Sequence, residues 1–342
     1  MARFLVTGVA GFIGFHLARL LLNRGHTVVG VDAFTPYYDV SLKRRRAAIL
    51  GQSPHCQIHE FSLEAAARLH DLQSDVKADF IVHLAAQAGV RYSLTNPRAY
   101  IDANLVGTFN ILEVARALPP QHLLIASTSS VYGANTEMPF AEADRTDHPL
   151  TLYAATKKSC EVMAHSYSHL WRIPTTLFRF FTVYGPWGRP DMALFIFTKR
   201  ILEGQPIDIY NNGDMQRDFT YVDDLVESIA GLIAATPPDP RTMTRAGTAD
   251  LSSPAAPFRI VNIGGSSPVG LLDFIAEIEK CLGRKAIRNY LPMQQGDVPR
   301  TFADTEVLRR LTGSHPATPI ETGVRRFVDW YRCYYAEESA AE

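Results

Sequence analysis

The chain alternates short runs in which every position is apolar with longer stretches whose apolar residues recur at helical spacing. Phe4-Leu5-Val6, entered through Arg3, predicts a strand. Ile13, Leu17, Leu20 and Leu21 then fall on one helical face, until Asn23-Arg24-Gly25 supplies a C-terminal stop. Thr27-Val28-Val29-Gly30-Val31 predicts a second strand, ending at Asp32. The rhythm returns with strands over Phe80–Leu84, Leu123–Ser127 and Thr175–Phe180, and with helices after Pro97 and Thr151. Strands that are apolar on both faces and alternate with helices predict an α/β fold whose doubly wound parallel sheet is covered on both sides. Past residue 182 the pattern changes to loops, short strands and isolated helices, and Pro237–Pro257 is expected to be a surface excursion. The expected division is a doubly wound domain over 1–181, with return segments at about 217–262, and a second, smaller α/β domain mainly over 182–342.

Composition narrows the function. The 342 residues are 46% hydrophobic and 20% charged, enough for a large core and against disorder. A net charge of −1 gives no electrostatic footprint for nucleic acid. The one dense basic run, Lys43-Arg44-Arg45-Arg46, is expected to be a solvated helix face. Cys56, Cys160, Cys281 and Cys333 show neither metal-ligand spacing nor a disulfide framework, which predicts no metal and fits a reducing, cytoplasmic compartment. The N-terminus loosely mimics a secretory leader, but Thr7, Gly8 and Gly11 break its apolar run, and no membrane span is expected.

Three motifs carry chemistry. In Thr7-Gly8-Val9-Ala10-Gly11-Phe12-Ile13-Gly14, Gly8 permits a tight turn, Gly11 the close approach of a pyrophosphate, and Gly14 close helix-on-strand packing. The motif follows a strand, opens a helix, and is followed by Asp32 at the end of the next strand. That context predicts a Rossmann dinucleotide site. Asp32 would bond the adenosine ribose and repel a 2′-phosphate, favouring NAD over NADP. In Tyr153-Ala154-Ala155-Thr156-Lys157 a phenol and an ammonium stand one turn apart on a helix face, and the lysine, helped by the positive nicotinamide, is expected to draw the tyrosine's pKa down from about 10, making a general base. The third is Ala126-Ser127-Thr128-Ser129-Ser130-Val131-Tyr132-Gly133, a strand end with hydroxyls side by side and no carboxylate among them.

In this order the motifs, with His83-Leu84-Ala85-Ala86 and Asn104, resemble the extended short-chain dehydrogenase/reductase family along nearly the whole chain. Within it, the phrases over 36–43, 85–97, 178–195, 209–224 and 296–304 are similar to those of the NAD-dependent UDP-glucuronate 4-epimerases. The resemblance implies catalytic Tyr153, Lys157 and Thr128. It implies cofactor contacts from Gly8, Gly11, Phe12, Ile13, Gly14, Asp32, Lys43, Ser62, Leu63, Leu84, Ala85, Ala86, Gln87 and Asn104, in addition to Tyr153 and Lys157. Gln87 and Tyr92 are also expected near the substrate. Ser62 stands where an acidic residue commonly binds adenine, and Ala33 where asparagine is common.

Related sugar-nucleotide 4,6-dehydratases carry an Asp-Glu pair after the catalytic threonine, and here the positions are Ser129 and Ser130. Without acids to eliminate water, the reaction implied is hydride removal from C4, rotation of a 4-keto sugar and hydride return, converting UDP-glucuronate to UDP-galacturonate. Thr128, Ser129, Ser130 and Thr182 are expected around the sugar and its carboxylate, and Arg189 at either the carboxylate or a phosphate. Arg217, with Arg91 and Arg300, is expected at the diphosphate, since guanidinium suits phosphate. A homodimer through the helices after Pro97 and Thr151 is implied by the resemblance alone. A UDP-glucuronate decarboxylase, a UDP-hexose 4-epimerase and a non-catalytic NAD-sensing protein remain alternatives on the same fold.

Overall fold

A computed structural model describes residues 1–242 and 252–341, with side chains as far as residue 336. The first half runs β1 (Arg3–Thr7), α1 (Phe12–Asn23), β2 (Thr27–Asp32), α2 (Val40–Leu50), β3 (Cys56–Glu60), α3 (Ala66–Val76) and β4 (Phe80–His83). Two short helices follow, α4 (Tyr92–Thr95) and α5 (Pro97–Tyr100), then a wider π-helical stretch over Ile101–Val106 that leads into α6 (Gly107–Ala117). Next come β5 (His122–Ala126), α7 (Leu152–Trp171) and β6 (Thr175–Phe180). The chain continues with β7 (Thr182–Tyr184), α8 (Ala193–Leu202), β8 (Ile207–Ile209), β9 (Gln216–Tyr221) and α9 (Val222–Ala234). It ends with β10 (Phe258–Ile263), β11 (Pro268–Gly270), α10 (Leu271–Leu282), β12 (Arg288–Tyr290), α11 (Glu306–Thr312) and α12 (Ile320–Ala341).

The large sheet has the order β10-β6-β5-β4-β1-β2-β3, with every neighbouring pair parallel. Its inner strands are mainly apolar because both faces are covered, whereas the edge strand β3 carries Gln57, His59 and Glu60. Phe4, Val6, Val82, Leu124 and Phe178 turn to one face, with Phe15 and Leu17 of α1 and Leu225, Ile229 and Leu232 of α9. Leu5, Val29, Ile81, Leu123 and Leu177 turn to the other, with Leu69 of α3, Ile111 of α6 and Ala164 of α7. Strand order reverses between β1 and β4, and there the carboxyl ends of the strands open a crevice.

The later part builds two small sheets, β11-β9-β7 and β12-β8, over a separate core that includes Tyr184, Phe195, Ile207, Phe274, Val324 and Phe327. The chain returns to the large sheet through α9, which packs on α1, and through β10, which pairs with β6. Strand β9, inside the expected return segment, pairs instead with β7 and β11. Of the expected excursion, residues 243–251 lie outside the described residues. Among the described residues no helix is long and apolar enough to cross a membrane.

The basic run departs from expectation. Arg44 is exposed and pairs with Glu60, but Lys43 and Arg46 are buried, with Arg46 at 0% exposure. Helix α2 turns both inward, so the run straddles the edge of the core instead of lying wholly in solvent.

Behind β5 and β6, Glu161 of α7 receives Arg179 Nε and Nη2, each at 2.9 Å, and the Ser127 hydroxyl at 2.7 Å. Both ions are buried. Replacing Glu161 by alanine should cost about 3–5 kcal/mol of unfolding free energy, because a buried guanidinium loses its counter-charge. Urea unfolding measures this, and a loss below about 1 kcal/mol would contradict the pairing.

Candidate active site

The crevice at the switch point is a cavity of about 490 Å³. One wall is the glycine loop. Gly8 has φ +70°, and a Cβ there would lie 2.8 Å from the Ala85 amide nitrogen. A Cβ on Gly14 would lie 2.0 Å from the Gly8 carbonyl oxygen, so helix and loop touch as only glycine permits. Gly11 caps α1 without a side chain, and the first helical bond runs from Phe15 N to Gly11 O. The N–H groups of Phe12, Ile13 and Gly14 therefore have no partner within the helix and form an anion-binding end. Asp32, 9% exposed, accepts Ala10 N at 3.0 Å and Phe34 N at 2.9 Å, which fixes its carboxylate at the end of β2. An extended phosphate group fits the bare helix end, and hydroxyl groups fit the oriented carboxylate.

Lys43 also lines the crevice, but its ammonium donates to Thr35 O at 2.8 Å and Thr35 Oγ1 at 3.1 Å and lies over the Tyr38 ring. Burial lowers its pKa, with Asp32 opposing. Ser62, Leu63, Leu84, Ala85, Ala86 and Gln87 line the same cavity. Asn104 stands directly behind Gln87. It is buried, accepts Gln87 N at 2.8 Å, and donates to Gln87 O at 3.1 Å and Thr156 Oγ1 at 3.0 Å. Its amide holds the backbone of Gln87, which lines the crevice.

Thr128, Ser129, Ser130, Tyr153, Lys157 and Thr182 meet in the deeper part of the cavity. Thr151 caps α7 by accepting Ala154 N at 3.3 Å, which starts the helix just ahead of Tyr153. Thr128 caps the turn over Ser129–Tyr132, its Oγ1 accepting Ser130 N at 3.2 Å. Burial raises the pKa of Tyr153, opposed by its hydrogen bond with Thr128 and by the charge of Arg189. Burial lowers the pKa of Lys157, opposed by Cys160 and Glu161. Desolvation thus works against the charged form of each group.

The arginines separate by position. Arg217 lines the crevice and donates to the Gln216 and Pro299 carbonyls. Burial lowers its pKa, and Asp297 opposes this. Arg189 also lines it, but in a two-pronged pair with Asp191, at 3.0 and 2.5 Å. Burial works against its charge, yet Asp191 outweighs burial and raises its pKa. Arg91 and Arg300 are not in the wall. Arg91 is 54% exposed at the rim, paired with Asp297 at 3.1 Å and lying over the Tyr210 ring. Arg300 is 57% exposed and 3.9 Å from Asp214. Both stand beside the crevice with their guanidinium groups largely exposed.

Two residues without an assigned role belong to the site. Asp191 receives Arg189 and the Tyr37 hydroxyl, the latter at 3.0 Å. The Tyr37 phenol is pushed up to about 12, first by burial and then by Asp191. Asp191 lies two residues beyond Arg189, and Tyr37 stands in the quoted phrase over 36–43, but no sequence pattern joins segments so far apart.

Fold and site define a protein that binds a dinucleotide and acts on a second ligand beside it, and the chain belongs to the NAD dependent epimerase/dehydratase family, whose profile matches residues 4–243. It is 59% identical over 329 residues to a probable UDP-glucuronate 4-epimerase of Rhizobium meliloti (strain 1021), covering 96% of each chain. It is 46% identical over 343 residues to UDP-glucuronate 4-epimerase 1 of Arabidopsis thaliana, covering 99% of this chain and 78% of that one. The crystal structure of UDP-glucuronic acid 4-epimerase from Bacillus cereus, in complex with UDP-glucuronic acid and NAD, superposes with a TM-score of 0.86 at 31% identity. That match covers 97% of this chain and all of the other.

Gly14→Ala tests the cofactor cradle. The added methyl must push α1 off the Gly8 carbonyl, and NAD affinity measured by calorimetry should fall at least about tenfold, or 1.4 kcal/mol. Unchanged affinity would show that the close approach is not needed.

Proposed function

We propose that the chain interconverts UDP-glucuronate and UDP-galacturonate by oxidation at C4 to a 4-keto sugar, rotation of that sugar, and reduction from its other face. The observation that carries this reading is the wall of hydroxyls, Thr128, Ser129 and Ser130, beside Tyr153 at the end of β5. A dehydratase needs an acid and a base there to eliminate water, whereas hydroxyls can orient a sugar and its carboxylate without promoting elimination.

The first turn of α1 and Gly11 hold the pyrophosphate of NAD, Asp32 its adenosine ribose, Ser62 and Leu63 its adenine, and Lys157 its nicotinamide ribose. Bound NAD accepts a hydride at C4 and gives it back. Tyr153 takes the C4 hydroxyl proton and returns it, with Thr128 bonding the same hydroxyl. Because burial raises the tyrosine's pKa, a nearby positive charge, such as that of Arg189, is required to bring the base form within reach. Ser129, Ser130 and Thr182 orient the carboxylate so that its bond to C5 stays out of line with the C4 carbonyl. Arg217 meets the diphosphate, and the part of the chain after residue 182 holds most of the nucleotide sugar.

Four free cysteines support a reducing, cytoplasmic setting. Exposed Phe109 on α6 and Val162, Leu170 and Trp171 on α7 support a homodimer through these helices. Sedimentation should give twice the 38.0 kDa chain mass, and Val162→Glu should shift it toward one.

Proton NMR of the protein with UDP-glucuronate tests the reaction. UDP-galacturonate should appear without a UDP-pentose, and Tyr153→Phe should slow it at least about a hundredfold, within the range for general-base loss. A UDP-pentose product would make the protein a decarboxylase. Full activity in Tyr153→Phe would remove the tyrosine from the mechanism.

A further inference from the structure

Arg46 is one of the largest fully buried side chains, and it lies outside the cavity wall. Its described partners are all uncharged. Nη1 donates to the Ala10 carbonyl at 3.0 Å and to the Tyr38 hydroxyl at 2.9 Å. Nη2 donates to the Trp187 carbonyl at 2.5 Å and reaches the Gly188 carbonyl at 3.4 Å. Ala10 sits in the middle of the glycine loop, and Trp187 and Gly188 immediately precede Arg189. One guanidinium therefore bonds the backbone of the cofactor loop and the backbone of the substrate-side loop. A planar fork of donors can span two such segments, whereas a lysine ammonium on its single stem cannot match both directions.

The substrate-side loop leans on the cofactor half through its neighbours too. His16 of α1 places Nε2 2.9 Å from the Pro186 carbonyl, so three successive carbonyls, Pro186, Trp187 and Gly188, meet donors from α1 and α2. Trp187 holds φ +60°, a strained conformation for a non-glycine residue that persists only where surroundings enforce it. Its ring packs on Phe15 of α1 at 5.4 Å and on Trp330 at 5.3 Å. Beyond it, Tyr37 adds the bond to Asp191. The loop that delivers Arg189 to the crevice is thus shaped from the dinucleotide-binding side.

We propose that Arg46 is a positioning residue that couples the two ligand sites, so that ordering the substrate-side loop also orders the glycine loop and slows NAD release. This rests on the proposed function for the identity of the two ligands. Such coupling is reciprocal and in other proteins amounts to about 5–150-fold. A buried cation bonded only to neutral groups suits this role, because movement of either loop would leave part of a buried guanidinium without acceptors.

The test measures the rate at which NAD leaves the purified protein, trapped with excess apo-dehydrogenase, with and without saturating UDP. UDP should slow release about tenfold in the wild type and less than about twofold in Arg46→Lys. Tyr38→Phe keeps the guanidinium and removes one acceptor, and should give an intermediate effect of about threefold, which decides the matter if Arg46→Lys does not fold. Retention of the full UDP effect in Tyr38→Phe and in a folded Arg46→Lys would overturn the role of Arg46. A wild type in which UDP leaves release unchanged would overturn the coupling itself. Either failure leaves the reaction intact if UDP-galacturonate still forms, whereas failure of the reaction reading is seen separately in the NMR products.

Discussion

The backbone approach at Gly8 is the constraint on which the site depends. Where strand order reverses, the end of β1, the end of β4 and the first turn of α1 meet so closely that any Cβ at Gly8 would press on the Ala85 backbone. Behind this contact a buried chain of polar groups fixes the strand ends. The Thr7 hydroxyl accepts Ala85 N at 3.1 Å and meets His83 Nδ1 at 2.8 Å, and His83 Nε2 meets Thr108 at 3.0 Å. Burial pushes the His83 pKa down to about 3, so it stays neutral and its bonds do not change across ordinary pH. These bonds set the strand ends beside the place where the cofactor's phosphates sit.

Around that fixed point, charge is managed by desolvation. Tyr153 and Lys157 lie deep in the cavity wall, and burial drives the phenol's pKa up and the ammonium's down. An active base in such a place depends on charge supplied from outside the pair, and Arg189 already contributes some. Glu161 stands one turn beyond Lys157 but gives its carboxylate to Arg179 and Ser127. The hydroxyl-bearing strand end is thereby anchored without placing an acid in the pocket.

Much of this was legible in the sequence where local spacing and local chemistry coincide. The glycine triplet, Asp32, the tyrosine–lysine pair and the three hydroxyls each sit within one strand–turn–helix unit, so their positions follow from periodicity. Residues whose role depends on distant partners were not legible. Arg46 read as part of a solvated run because its acceptors are on loops before α1 and after β7. The bonds of Asn104 with Gln87 and Thr156 likewise join segments far apart in the chain. Nor does the sequence show that Arg91 meets Asp297, more than two hundred residues away. Burial of a charge is decided by tertiary packing, and no single-sequence pattern records it.

The central claim is that the hydrogen at C4 leaves the sugar and comes back to the same carbon on the opposite face. UDP-glucuronate deuterated at C4, converted in ordinary water and followed by mass spectrometry and NMR, tests this most directly. The account predicts UDP-galacturonate that keeps the deuterium at C4 and takes up no hydrogen there from solvent. Loss of the label to water would contradict it, because the hydrogen would then have left as a proton.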